Sequence, residues 1–128
     1  MNKQLLTIAL LAPLFSGCVA AAVGVVGGVL LSQEVMDDAT YVGRVKQDVN
    51  RTWASAKTSL SQASLKPIDV DNAARTAKGD VDGASVTVTV STVDIGESEI
   101  RVAAKKYGVA NGEIARMTFD KILADLDR

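Results

Sequence analysis

The chain has 128 residues, a length that suggests a single domain. Lys and Arg number 14 and Asp and Glu number 15, so the formal net charge is −1. No basic stripe or patch is present, and we therefore predict no nucleic-acid partner. Histidine is absent, which removes the commonest metal ligand and the usual general base. The single cysteine cannot form an internal disulfide.

The first seventeen residues have the anatomy of a bacterial signal peptide. Lys3 forms a short positive region, residues 5–12 form an apolar run, and Pro13 ends that run before small residues. A basic region, then an apolar region, then small residues is the order found in secretory signals. We therefore predict a signal peptide over residues 1–17, cleaved between Gly17 and Cys18.

Residues 14–18, Leu-Phe-Ser-Gly-Cys, resemble the bacterial lipobox, in which a short apolar stretch ends in two small residues and a cysteine. Phe15 stands where the lipobox usually has leucine. The resemblance implies that Cys18 carries diacylglycerol on its sulfur and, after cleavage behind Gly17, an acyl group on its new amine. It also implies attachment to the membrane through these acyl chains. Val19 follows, where aspartate would retain a lipoprotein in the inner membrane, so the resemblance implies the periplasmic face of the outer membrane.

The same region allows a second interpretation, a single-pass membrane protein with a periplasmic domain. No charge lies between Lys3 and Glu34, and an apolar stretch of that length can span a bilayer as a helix. Pro13 interrupts its first half, and three glycines between residues 24 and 28 weaken its second half as a helix. These interruptions favour the lipoprotein interpretation.

Residues 18–38 are predicted to be the lipidated cysteine and an apolar tether rich in Ala, Gly and Val. Ordinary lipoprotein tethers are polar, so residues 19–31 are not expected to lie free in water. Gly24 and Gly28 form one small-xxx-small pair, which permits two helices to pack closely in lipid. A single such pair is a weak signal, so we favour a segment resting at the membrane surface.

Residues 39–128 are predicted to form a small α+β periplasmic domain. Alternation over residues 41–46 predicts a strand. An apolar stripe at helical spacing predicts a helix from Val49, capped by Asp48 or Asn50 and closed by Pro67. Ile68 and Val70 then alternate with acids, and a weak extended segment follows at residues 76–81.

The second half of the domain carries the clearest signals. Asp82-Gly83 predicts a hairpin turn, because both positions tolerate positive φ. The strict alternation of residues 84–91 predicts a strand, and residues 100–104 predict another after a turn at 94–98. Asn111 is expected to cap a last, apolar-striped helix.

The order β-α-β-β-β-α predicts a two-layer α+β fold, in which two helices cover one face of an antiparallel sheet of about four strands. The predicted core consists of ten apolar residues: Trp53, Leu60, Val86, Val88, Val90, Ile100, Val102, Phe119, Ile122 and Leu126.

The chain as a whole resembles a family of small bacterial lipoproteins of unknown function with a lipobox, an Ala/Gly-rich segment and a βαβββα domain. The family brings no established activity, so the resemblance implies fold and location only. The residues that carry it are Cys18, Ala20 to Ala22, Tyr41 to Gly43, Val49, Thr52, Trp53, Ala56, Gly83, Ile122 and Leu123.

Four aspartates invite a calcium-binding interpretation: Asp69, Asp71, Asp80 and Asp82. A calcium loop needs oxygen ligands at alternate positions, a glycine and a distant bidentate glutamate. The first pair has no third ligand in register, and the second pair belongs to the predicted turn. We therefore predict solvated side chains and no metal site.

No serine or threonine has a histidine to activate it, so we predict a non-enzyme with neither catalytic residues nor cofactors. Trp53 lies at helical spacing with Val49 and Ala56, which indicates a core residue. The favoured function is a lipid-anchored envelope protein acting as a non-catalytic interaction or structural module, with an unknown protein partner. One alternative binds a small apolar ligand between sheet and helices, and another is an enzyme using acids alone.

Overall fold

The computed structural model of the protein describes residues 30–37 and 39–127. The predicted signal peptide, its cleavage site and the predicted lipidation site at Cys18 lie outside these residues. In chain order the elements are β1 (Leu30–Asp37), β2 (Thr40–Val45), α1 (Val49–Ala63), β3 (Asp69–Asp71), β4 (Thr76–Val81), β5 (Ala84–Asp94), β6 (Glu97–Lys106), β7 (Val109–Ala110) and α2 (Gly112–Leu126).

The strands of the described residues form one antiparallel sheet in the order β1-β2-β6-β5-β4-β3, with β7 paired to β6. The predicted α+β class with two helices is confirmed. The predicted number of about four strands is wrong, because the described residues form a sheet of seven. The three strands left out of that number gave weak signals or none: β3 and β7 are only three and two residues long, and β1 continues an apolar stretch without alternation.

The predicted boundary between tether and domain falls between residues 38 and 39, whereas the sheet begins at Leu30. The β1 strand pairs with β2 from Leu30 opposite Val45 to Asp37 opposite Thr40, with two irregularities in register. The Leu30 side chain packs against the core. The last residues assigned to the tether therefore belong to the folded sheet.

Both helices begin at a polar cap that satisfies their first backbone N–H groups. Asp48 caps α1, its Oδ1 accepting from the backbone N of Asn50 at 2.9 Å and of Arg51 at 3.1 Å. Asn111 caps α2, its Oδ1 accepting from the backbone N of Ile114 at 3.1 Å. These caps fix where each amphipathic stripe begins.

The core lies between the helices and one face of the sheet. All ten predicted core residues are buried. Along β5 and β6 the buried residues pair directly across the strands, with Val88 opposite Val102 and Val90 opposite Ile100. The α1 helix contacts β4 and β5, α2 contacts β2 and β6, and the helices contact each other. No described element covers the other face of the sheet, which we call the open face.

The β4–β5 connection is the tight hairpin turn predicted from the sequence. Asp82 has φ +51° and Gly83 has φ +79°, the left-handed conformation that a two-residue turn of this kind needs. The β6–β7 connection has the same form, with Tyr107 at φ +53° and Gly108 at φ +75°. Both turns lie at one end of the sheet, which we call the distal end.

Candidate functional site

The opposite end of the sheet, which we call the proximal end, is where the chain arrives from the predicted anchor. Leu30 lies opposite Val45, Val45 lies opposite Ser98, and Ser98 lies opposite Thr92. The buried Ser98 hydroxyl donates to the backbone oxygen of Gln47 at 2.6 Å, which ties β6 to the loop before α1. The first described residue and the β5–β6 turn therefore share one end of the sheet.

The predicted site residues Gly17 and Cys18 lie outside the described residues, but the chain length limits where they can be. Leu30 follows Cys18 by twelve residues. At about 3.3–3.6 Å per fully extended residue, these twelve span at most about 40 Å. A lipid group on Cys18 would therefore hold Leu30, at the proximal end, within about 40 Å of a membrane.

The open face is polar and carries charges of both signs. Arg101 Nη2 lies 3.4 Å from Glu99 Oε1, and the hydroxyls of Thr76 and Thr89 lie 3.4 Å apart. A depression of about 330 Å³ opens between β1, β2 and β6, lined by Ser32, Glu34, Val42, Arg44 and Glu99. A second, of about 450 Å³, opens over β3 and β4, lined by Asp69, Val70, Asp71, Ala74, Thr76 and Lys78.

Two of the four aspartates considered for calcium, Asp71 and Asp80, accept hydrogen bonds from the backbone of turns. Asp71 Oδ1 accepts from the backbone N of Ala73 and of Ala74, each at 3.1 Å. Asp80 Oδ1 accepts from the backbone N of Gly83 at 3.1 Å. Within residues 30–37 and 39–127, no group of three His, Cys, Asp or Glu is placed to hold a metal ion.

Trp53 is a core residue, as predicted, with only 6% of its surface exposed. Its indole Nε1 donates to Asn72 Oδ1 at 3.1 Å. Lys57 Nζ donates to the same oxygen at 3.1 Å and lies 5.1 Å from the centre of the Trp53 ring. Asn72 lies in the β3–β4 turn, so these contacts fasten that turn to α1. The sequence gives no local sign of this contact, because its partners are 19 residues apart.

A polar network joins the two helices. Ser59 Oγ, fully buried, donates to Asp125 Oδ2 at 2.6 Å, and Lys121 Nζ bridges Asp125 Oδ2 at 3.3 Å and Gln62 Oε1 at 3.0 Å. Beside it a groove of about 380 Å³ also includes Ser55, whose buried hydroxyl oxygen has no hydrogen-bond partner among the described atoms. No histidine exists in the chain to activate this hydroxyl.

One carboxyl on α2 has a perturbed titration. Partial burial raises the pKa of Asp120 above its usual range, and the positive charge of Arg116, one turn earlier, partly opposes that rise. Because the folded state holds this proton more tightly than the unfolded chain does, the contribution of Asp120 to folding becomes more favourable as the pH falls through the raised pKa.

Exposed apolar side chains occur at both ends of the sheet. At the proximal end Ile95 is 98% exposed, and Leu31 and Val93 are also exposed. At the distal end Tyr107 is 92% exposed, and Val109 is exposed beside it. The sequence analysis assigns residues 94–98 only to a turn and does not single out Ile95, since a lone apolar residue in a turn carries no motif.

No helix within residues 30–37 and 39–127 is long and apolar enough to cross a bilayer. The apolar stretch on which the single-pass interpretation depends precedes these residues.

No protein-family model matches the sequence, and no curated protein matches it significantly. The resemblance to small bacterial lipoproteins therefore depends on the residues quoted for it, from Cys18 to the last helix. The described residues form an α+β domain with one helix-covered face, one open polar face and a proximal end at which the chain arrives.

Proposed function

We propose that the protein is a lipid-anchored bacterial envelope protein whose folded domain is a non-catalytic interaction or structural module. The observation that carries the proposal is the order of residues 1–18: one lysine, an apolar run, a proline, and then Ser-Gly-Cys. Lipidation also gives a role to the single cysteine of the chain, which cannot form an internal disulfide.

The open face supports an interaction role for the domain. Both described helices lie on one face of the sheet, and the open face presents threonines and charges of both signs. Charged and hydrogen-bonding groups on a rigid sheet give orientation and specificity to a polar partner. The depressions on this face are lined mainly by polar side chains, which suits a protein or glycan surface better than a lipid.

The packing between sheet and helices weighs against the alternative of a small apolar ligand held there. Phe119 lies directly over Gly43, and Leu60 lies over Gly79. Both large side chains are completely buried. The glycines leave room that these side chains fill, so a ligand would have to displace core residues, at a cost in packing.

Cys18→Ala is expected to abolish acyl labelling and to leave an uncleaved or mislocalised precursor. Without the thiol no diacylglycerol can be attached, and the lipoprotein peptidase of the resembled family then has no substrate. The measurement is metabolic labelling with a fatty acid, together with gel mobility and membrane fractionation. Normal membrane retention and unchanged mobility of the variant would favour the spanning-helix interpretation.

Fractionation of a two-membrane bacterium is expected to find the protein in the outer membrane, facing the periplasm. Val19 takes the position after the lipidated cysteine at which aspartate retains lipoproteins in the inner membrane. The matched variant is Val19→Asp, which should shift the protein to the inner membrane without changing its acyl labelling. Equal distribution of the two proteins would contradict the proposed sorting.

A further inference from the structure

The β5–β6 turn carries an exposed apolar residue that does not pack in the core. Ile95 is 98% exposed and is followed by Gly96 at φ +71°. Turns favour Gly, Asn, Asp and Ser, which suit the backbone and the solvent. Ile95 contributes nothing to the core, and Val93 on the same hairpin and Leu31 on β1 are exposed at the same end of the sheet.

The hairpin tip projects from the proximal end, beyond the point where the chain arrives. Leu30 and Thr92 belong to the same row of paired residues across the sheet. Ile95 lies three residues further along the chain, and a strand rises about 3.3 Å per residue. The tip therefore extends on the order of 10 Å past Leu30, away from the distal turns.

The proposed lipid anchor at Cys18 indicates that the hairpin tip faces the membrane. Residues 19–29 are apolar, and the sequence predicts that this stretch rests at the membrane surface. With the proposed anchor, that prediction brings Leu30 close to the lipid. If the distal end faced the membrane instead, the segment between Cys18 and Leu30 would have to extend along the whole length of β6. That length is on the order of 30 Å for its ten residues. The proximal orientation needs no such extension, so Ile95 is the exposed apolar residue nearest the bilayer.

We infer that the β5–β6 hairpin tip docks on the membrane that holds Cys18, with Ile95 inserted among the lipid headgroups and upper acyl chains. This inference rests on the proposed lipid anchor. Asp94 and Glu97 flank the tip, so it fits a zwitterionic surface better than a strongly anionic one. The docked hairpin and the anchor together fix the orientation of the domain and hold its open face sideways, towards partners in the periplasm.

The test compares Ile95→Trp with Tyr107→Trp in the full, lipidated protein reconstituted into phosphatidylcholine–phosphatidylethanolamine vesicles. Both positions are almost fully exposed turn residues, at opposite ends of the sheet. The native Trp53 is buried and gives the same background in both variants. Fluorescence is measured with and without bromine on the acyl chains, and flotation establishes that the protein is bound.

We expect the added fluorescence of Ile95→Trp to shift to shorter wavelength and to be largely quenched by brominated lipid. The added fluorescence of Tyr107→Trp should remain that of a water-exposed indole. Replacing part of the lipid with phosphatidylglycerol should reduce the quenching of Ile95→Trp.

Three other results would each contradict the inference, and each would point to a different cause. Bound protein with equal, weak quenching at both positions would leave the anchor standing and refute the docking. A blue shift at position 95 without bromine quenching would place the tip against protein, such as a second copy. Failure of the protein to float would refute the anchor and the docking together.

Discussion

Trp53→Ala is expected to destabilise the domain by roughly 3–5 kcal/mol, the range for removing a large buried aromatic side chain. Trp53 is 6% exposed and packs in the core cluster, so its loss leaves a cavity between α1 and the sheet. The substitution also removes the donor to Asn72 that fastens the β3–β4 turn to α1. A domain of this size has a total stability of only about 5–15 kcal/mol, so the variant approaches the threshold of unfolding.

Urea unfolding followed by far-ultraviolet circular dichroism measures this loss, since tryptophan fluorescence is no longer present. Two controls separate packing from hydrogen bonding. Trp53→Phe keeps most of the apolar ring and should cost clearly less, whereas Asn72→Ala leaves the indole N–H without its partner at a cost of roughly 1–3 kcal/mol. A loss below about 1 kcal/mol for Trp53→Ala would place Trp53 at the surface in solution and make it a candidate partner-binding residue.

Gly43→Ala is expected to cost roughly 1–3 kcal/mol, even though it adds only a methyl group. A Cβ at position 43 would overlap Phe119 Cζ and lie 2.9 Å from Phe119 Cε2. The Phe119 ring is completely buried and cannot move aside without disturbing the core. The same Cβ would lie only 3.3 Å from Leu30 Cδ1, which also restricts the space at position 43.

Gly79→Ala is the matched control, because Gly79 also faces the helices from a strand. Its Cβ would lie 3.2 Å from Leu60 Cγ, Leu60 Cδ1 and Ile68 Cγ2, so these neighbours need to shift by a few tenths of an ångström. In a Phe119→Leu background, which removes the overlapping ring atoms, Gly43→Ala should cost less than in the native protein. If Gly43→Ala proved no more costly than Gly79→Ala in urea unfolding, the close packing of α2 on β2 would be refuted.

Local signals in the sequence were enough to predict the helices and the central hairpin. Asp48 and Asn111 cap the helices where the apolar stripes begin, and the alternation of β5 follows the Asp82-Gly83 turn. Each of these features depends on residues within one or two turns of each other. The physical chemistry of capping, amphipathicity and positive φ therefore determines them without knowledge of the rest of the fold.

Features that depend on distant pairing could not be predicted in the same way. The β1 strand is stabilised by β2, and its own composition indicates only an apolar stretch. The fit of Phe119 over Gly43 joins residues far apart in the chain. The placement of Ile95 at the same end of the sheet as Leu30 follows only from the register of three successive strand pairs. The lipobox-like motif at Cys18, from which lipidation is predicted, is by contrast wholly local and can be recognised without tertiary structure.

Intact-mass spectrometry of the protein purified from membranes tests the central claim, lipid attachment at Cys18, most directly. We expect a mature chain that begins at Cys18, lacks residues 1–17, and carries a diacylglycerol group on the sulfur and a fatty acyl group on the amine. Fragmentation should place all of the added mass on this first residue. A chain that retains residues 1–17 with an unmodified Cys18 would contradict the account.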